Sequence, residues 1–280
     1  MSLPDALADM RAEADALAIL LDTLTAAQLG AATPFSVWHV EDVIRHLIVV
    51  DRHAVLAVTD PAGFQAAMAR LIAATSQPVP HEPVINPGYA RLLPYERTEI
   101  GAVERTALVP LWHRGVETLA AAVDAETEDR KIGWFGPPMP VSRLLGARQM
   151  ELWCYGQDIY DALGIRRPGG DHIRTVAAFG MRTRSYCFRL HGLEPPPAPL
   201  IRLIAPSGLQ WVWGEQAEDR DQISGLAADF CAVVTQRRHV ADTGLHVTGA
   251  GAAQWMAIAQ TIAGGPYVPP APGERSSASN

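Results

Sequence analysis

The chain is poor in cysteine, nearly devoid of lysine and free of long apolar runs, and each shortage removes a class of explanation. Its three cysteines, Cys154, Cys187 and Cys231, are odd in number and far apart, so neither a disulfide framework nor a zinc-finger spacing follows. Cys154 reads as a small buried helix residue rather than a nucleophile. Lys131 is the single lysine, and the net charge of -7 argues against broad attraction to nucleic acid or to an anionic membrane. No stretch reaches the roughly 18–20 apolar residues of a membrane span, and no basic segment leads into an apolar run at the amino terminus. The chain reads as cytoplasmic, with a small molecule as partner and neither nucleic acid nor membrane. Also missing are a phosphate-binding glycine loop, a nucleophile elbow and a dinucleotide fingerprint.

What is present is a core. Hydrophobic residues make up 48% and charged ones 19% of 280 residues, enough to bury two globular domains. Leu7, Met10, Ala14, Leu17, Leu21 and Leu24 recur at helical spacing after Pro4-Asp5, predicting a first helix that ends near Gly30. A second starts after Trp38-His39, with Glu41 and Asp42 favourable in its first turn, and carries Val43, His46, Leu47, Val50 and His53. Asp60-Pro61 opens a shorter helix to about residue 74. Pro78, Pro80, Pro83, Pro87 and Pro94 argue against regular structure over 76–95. The pattern then predicts one helix over about 98–123 and a last long one over 141–163, stopped by Gly164 in a left-handed cap.

Past residue 165 the character changes. A helix over 172–190, two strands (200–205 and 210–213) about a Pro206-Ser207-Gly208 turn, a helix over 226–236, a strand over 245–248 and a helix over 252–263 follow. The expected organisation is mainly α: a four-helix bundle over 1–165, a small α+β domain over 166–264 and a flexible tail over 265–280.

The chemistry concentrates on the 141–163 helix. Glu151, Tyr155 and Asp158 are spaced by four and then three residues, which stacks them along one stripe. A catalytic metal takes about three protein ligands. Glu151 and the residue four places on supply two from one helix, and His46 on a facing helix supplies the third, with Asp42 one turn earlier to orient its second nitrogen. A lone buried histidine is more often a bonded core residue, yet buried carboxylates on an apolar helix need partners. Trp134-Phe135, in a Gly/Pro loop before that helix, are candidates for a pocket mouth, and His53 for its wall. Arg237-Arg238-His239 reads as a solvated helix end.

The stretch from Trp38 to His46 resembles the Trp-x-x-x-(Asp)-x-x-x-His opening of the mycothiol-dependent maleylpyruvate isomerase-like proteins, members of the DinB-like superfamily. The run Arg148-x-x-Glu151-x-Trp153-x-x-Gly156-x-Asp158 resembles their second motif. Asp229-Phe230-Cys231, Thr235 to His239 and Trp255-x-x-Ile258-Ala259-Gln260 resemble the carboxy-terminal part of an actinobacterial branch. The resemblance implies a DinB-like bundle holding one divalent metal, zinc or nickel, and a site that activates mycothiol for isomerisation or transfer. Carried over, His46 and Glu151 are metal ligands, and Tyr155 stands where the family has its second ligand histidine. Phenol ionises only near pH 10, so it is a poorer ligand than imidazole at neutral pH. Three expectations follow: a metal- and thiol-dependent enzyme; a metal-independent isomerase or cyclase of a specialised metabolite, with Tyr155 as donor and Glu151 or Asp158 as base; and a metabolite-binding resistance protein without turnover.

Overall fold

The computed structural model describes residues 2–35, 37–76, 88–124, 126–127, 130–214 and 221–275. The chain forms two compact units, 1–165 and 166–280.

Ser2 starts helix α1 (Leu3–Leu21) in a reciprocal capping box with Asp5, and Leu7, Met10, Ala14, Leu17 and Leu21 form its buried face. The helix stops earlier than its periodicity suggests, and a second capping box, Thr25 with Gln28, opens the one-turn α2 (Ala26–Leu29). Helix α3 (Val40–Thr59) begins where the Asp42 carboxylate accepts from the His39 backbone N–H at 3.0 Å, placing negative charge at the positive helix end. Asp60 caps α4 (Pro61–Thr75) by accepting from the Gly63 N–H. After α5 (Gly88–Ile100) the chain turns at Gly101, whose φ of 77° is left-handed, and enters α6 (Leu108–Asp124). A hairpin of β1 (Lys131–Trp134) and β2 (Gly136–Pro140) leads into α7 (Val141–Leu163), which ends at Gly164 with φ 63°, the expected cap.

Helices α1, α7, α3 and α6 pack in a closed ring of neighbours, a four-helix bundle, while α4 and α5 lie against α3 and each other. The fold class is as anticipated, with two corrections. Part of the span expected to lack regular structure is helical, and the single helix over 98–123 is two, α5 and α6. Pro94 sits inside α5 and removes one helical hydrogen bond. The buried side chains of Tyr95 and Glu96 anchor that helix to α3 regardless, and Tyr89 packs on Phe35 and Trp38 just ahead of α3. Pro78, Pro80, Pro83 and Pro87 lie outside the described residues.

In the second unit α8 (Arg174–Leu190) follows a short 3-10 turn. Strands β3 (Leu200–Ile204) and β4 (Gln210–Trp213) pair antiparallel around the expected turn. The sequence reading omits β5 (Gln222–Leu226), which pairs parallel to β3 and leads directly into α9 (Ala227–Val234). Strand β6 (His246–Thr248) completes the order β4-β3-β5-β6, and α10 (Ala250–Ile258) follows. Helix α9 packs on β3, β5 and α8. A Cβ at Gly180 would lie 2.7 Å from Val234, so glycine sets the closeness of α8 to α9. Arg237 and Arg238 are not a solvated helix end: both are buried, donating to the carbonyls of Thr235 and Arg237 at 2.7 Å. In the tail, the Tyr267 and Gly273 N–H groups donate to Gln260 and Asp242.

Candidate functional site

Helix α3 carries the imidazoles. His46 lies 7% exposed, and its Nδ1 is 2.6 Å from Oε1 of Glu96 on α5, itself buried. Its Nε2 makes no hydrogen bond to a described residue. The ring of Tyr155, from α7, meets the His46 ring edge-on with centroids 4.4 Å apart, and Trp38 approaches it at 5.1 Å. Trp38 stacks on Tyr155 at 5.7 Å, and Phe35 touches Trp38, Tyr89 and Tyr155. The indole N–H of Trp38 donates to the Tyr89 carbonyl at 2.9 Å. A loop and α7 thus wall one imidazole with Trp38 and Tyr155, and Phe35 and Tyr89 pack behind them.

The sequence places Asp42 as the outer partner of His46, and here the structure differs. One Asp42 oxygen takes the His39 N–H and the other the Arg97 guanidinium at 2.9 Å. Glu96 holds His46 instead. Burial pushes the Glu96 carboxyl upward, opposed by the charge and hydrogen bond of His46.

Glu151 is part-buried and engaged by Nη1 of Arg148, one turn back on α7. Nε of Arg148 donates to Oδ1 of Asp51 on α3 at 3.0 Å, so one guanidinium joins carboxylates of two helices. Both Asp51 and Arg148 are withdrawn from solvent, and burial drives the Asp51 carboxyl up against the pull of Arg148. Asp158 is fully buried one turn beyond Tyr155 on α7. His53, two turns after His46, shares a 3.0 Å hydrogen bond through Nε2 with the Tyr95 hydroxyl. Burial lowers His53 to about 4 and raises Tyr95 to about 12. Trp134 stacks on Phe64 at 5.6 Å, and Phe135, 38% exposed, packs edge-on against it. These contacts set the pair beside the start of α4, whereas the rings around His46 come from other segments.

The donor set does not fit a three-ligand metal centre. Among the described residues no group of three or more His, Cys, Asp or Glu side chains is disposed to hold a metal ion. Glu151 faces a guanidinium rather than an open site, and position 155 offers phenol where imidazole would be needed. Sequence reasoning missed Asp51 and Glu96, and gave Arg148 no role. Asp51 lies off the His46 stripe, and Glu96 falls between the segment read as irregular (76–95) and the helix predicted from about 98.

The fold is shared with a solved structure described as the crystal structure of the mycothiol-dependent maleylpyruvate isomerase. The TM-score is 0.53 at 17% identity, covering 89% of this chain and 93% of that one. A point mutant of that enzyme gives 0.50 at 18% identity, covering 83% and 88%. In sequence the chain is 38% identical over 260 residues to "Uncharacterized protein Rv0036c" of Mycobacterium tuberculosis (strain ATCC 25618 / H37Rv), covering 92% of this chain and 95% of the relative. The same figures hold for "Uncharacterized protein MT0041" of strain CDC 1551 / Oshkosh. Residues 10–160, more than half the chain, match the model described as "Mycothiol maleylpyruvate isomerase N-terminal domain". The chain therefore belongs to the mycothiol maleylpyruvate isomerase N-terminal domain family.

Proposed function

We propose that this protein is a cytoplasmic small-molecule enzyme of the isomerase or transferase class, working inside the bundle where α3, α5 and α7 meet. The observation that carries this reading is the state of His46: one nitrogen tied to Glu96 at 2.6 Å, the other without a partner among the described residues, and the ring walled by Trp38 and Tyr155. An imidazole so held takes and returns a proton.

The related solved enzyme is named for its dependence on mycothiol, and a small thiol suits such a base. His46 Nε2 takes the thiol proton as sulfur adds to an activated cis double bond. Rotation and elimination return the thiol and the proton, with no net oxidation. In this reading the Tyr155 hydroxyl donates to the oxygen that gains charge during addition, while Arg148 orients Glu151 and Asp158 backs the α7 stripe. The described cysteines are free and buried, which suits a reducing compartment. No helix among the described residues is long and apolar enough to cross a membrane.

The phenol at position 155 and the guanidinium on Glu151 favour a metal-independent form of this chemistry, including isomerisation or cyclisation of a specialised metabolite, over a metal-dependent one. The test is turnover of maleylpyruvate with and without mycothiol, in the presence of a chelator. Thiol-dependent isomerisation that survives the chelator and disappears in His46→Ala is the expected result. Equal rates in the parent and His46→Ala would reject the site. Saturable binding without turnover would make the protein a metabolite binder.

A further inference from the structure

Four bonds fasten α5 across α3. The Arg97 guanidinium donates to Asp42 at 2.9 Å, Glu96 meets His46 at 2.6 Å, Tyr95 meets His53 at 3.0 Å, and Arg52 of α3 donates to the Glu99 carbonyl at 2.9 Å. Consecutive residues of one helix therefore engage the two buried histidines of the other. Glu96 has a single hydrogen-bonded partner: its Oε1 is on His46, and its Oε2 is buried with no hydrogen bond among the described residues. A carboxylate desolvated to that degree has no use as a stability element, since burying it costs more than one hydrogen bond returns. Its neighbours Tyr95 and Arg97 already hold α5 in place.

From this we infer that Glu96 is the positioning residue of the site: it fixes the His46 ring with the proton on Nδ1 and directs Nε2 toward the substrate. The logic is that of a carboxylate behind a catalytic imidazole, which selects the tautomer and stabilises the protonated ring without itself meeting substrate. The inference rests on the proposed role of His46, and its test does not depend on that role. Other groups surround the pair. Asp51 and His53 of α3 also interact electrostatically with His46, Arg148 of α7 is bonded to Asp51, Asp42 of α3 acts on Glu96, and the Tyr155 phenol packs on the His46 ring. A variant at Asp51 is the necessary comparison.

The experiment is nitrogen NMR of the histidine-labelled full chain, with His46 assigned by loss of its signals in His46→Gln. In the parent, neutral His46 is expected to carry its proton on Nδ1. In Glu96→Gln the share of the Nδ1–H tautomer is expected to fall, since an amide can donate to that nitrogen as well as accept from it, and Glu96→Asp is expected to recover part of it. Asp51→Asn is expected to leave the tautomer unchanged. With a turned-over substrate, Glu96→Gln lowers kcat while KM changes little. A proton on Nε2 in the parent, or a tautomer balance unmoved by Glu96→Gln, overturns the inference. An equal change of tautomer in Asp51→Asn also overturns it. Should Glu96→Gln fail to fold, the parent tautomer alone decides. The Nδ1 tautomer in a chain without turnover would uphold Glu96 and sink the enzymatic reading, so the two failures are distinguishable.

Discussion

Asp51 of α3 and Arg148 of α7 are joined at 3.0 Å inside the bundle, with neither side chain open to solvent. Removing one member of a buried ion pair strands the other, at a cost of roughly 3–5 kcal/mol. Arg148→Met is expected to destabilise the protein by that order. In an Asp51→Leu background the same change should cost far less, because no carboxylate on α3 is left stranded. Urea unfolding of the four proteins of this cycle measures the coupling, and equal costs in both backgrounds would show that the pair contributes nothing.

Tyr155 presents its ring to His46 at 4.4 Å. Replacing it by imidazole in Tyr155→His would set a second nitrogen ligand beside His46, one helical turn from Glu151. Zinc affinity measured by titration calorimetry is expected to rise above that of the parent, and to fall again in Tyr155→His/His46→Ala. A Tyr155→His variant that binds zinc no better than the parent would show that position 155 is not the place of the missing ligand.

His53 supplies a pH dependence whose sign is fixed. Burial lowers it from 6.5 to about 4, so between those values the unfolded chain binds a proton that the folded chain does not. The folded state therefore loses stability as pH falls from 6.5 through 4, by up to roughly 3 kcal/mol from this group alone. Denaturation across that range in the parent and in His53→Gln, which cannot titrate, isolates the contribution. Parallel curves would mean that His53 ionises normally in the fold.

In the second unit, Gly180 of α8 leaves no room for a methyl group against Val234. Gly180→Ala should destabilise by about 1–3 kcal/mol through overpacking, despite its better helix propensity. Val234→Ala in the same chain should restore much of the loss, as thermal unfolding would report.

Much of the architecture is written in local patterns. The periodic leucines of α1, the Asp60 cap and the left-handed Gly164 mark their elements without any knowledge of neighbours, and the turn at Pro206-Ser207-Gly208 marks β3 and β4. Helix α5 was illegible because its stability comes from side chains seated on α3, which outweighs the bond lost at Pro94. Strand β5 was illegible for a related reason: its partner β3 lies some twenty residues away, and parallel pairing leaves no turn signal. The site divides the same way. His46, Glu151, Tyr155 and Asp158 announce themselves by spacing on two helices. Glu96 and Asp51 have no such spacing, and only the tertiary fold shows which nitrogen each one meets.

The aromatic cluster around His46 comes from three separate stretches: Trp38 ahead of α3 and Tyr155 on α7 meet the imidazole, and Phe35, also ahead of α3, and Tyr89, at the start of α5, pack behind them. Among the described residues, the His46 Nδ1 is engaged by Glu96 and by none of these rings. The outer rings, Phe35 and Tyr89, and the His46–Glu96 bond are therefore separately mutable. Exchanging Phe35 or Tyr89 for a smaller side chain would recast the surroundings of Trp38 and Tyr155 while the His46–Glu96 bond stays intact, a route by which descendants of this scaffold could admit differently shaped guests.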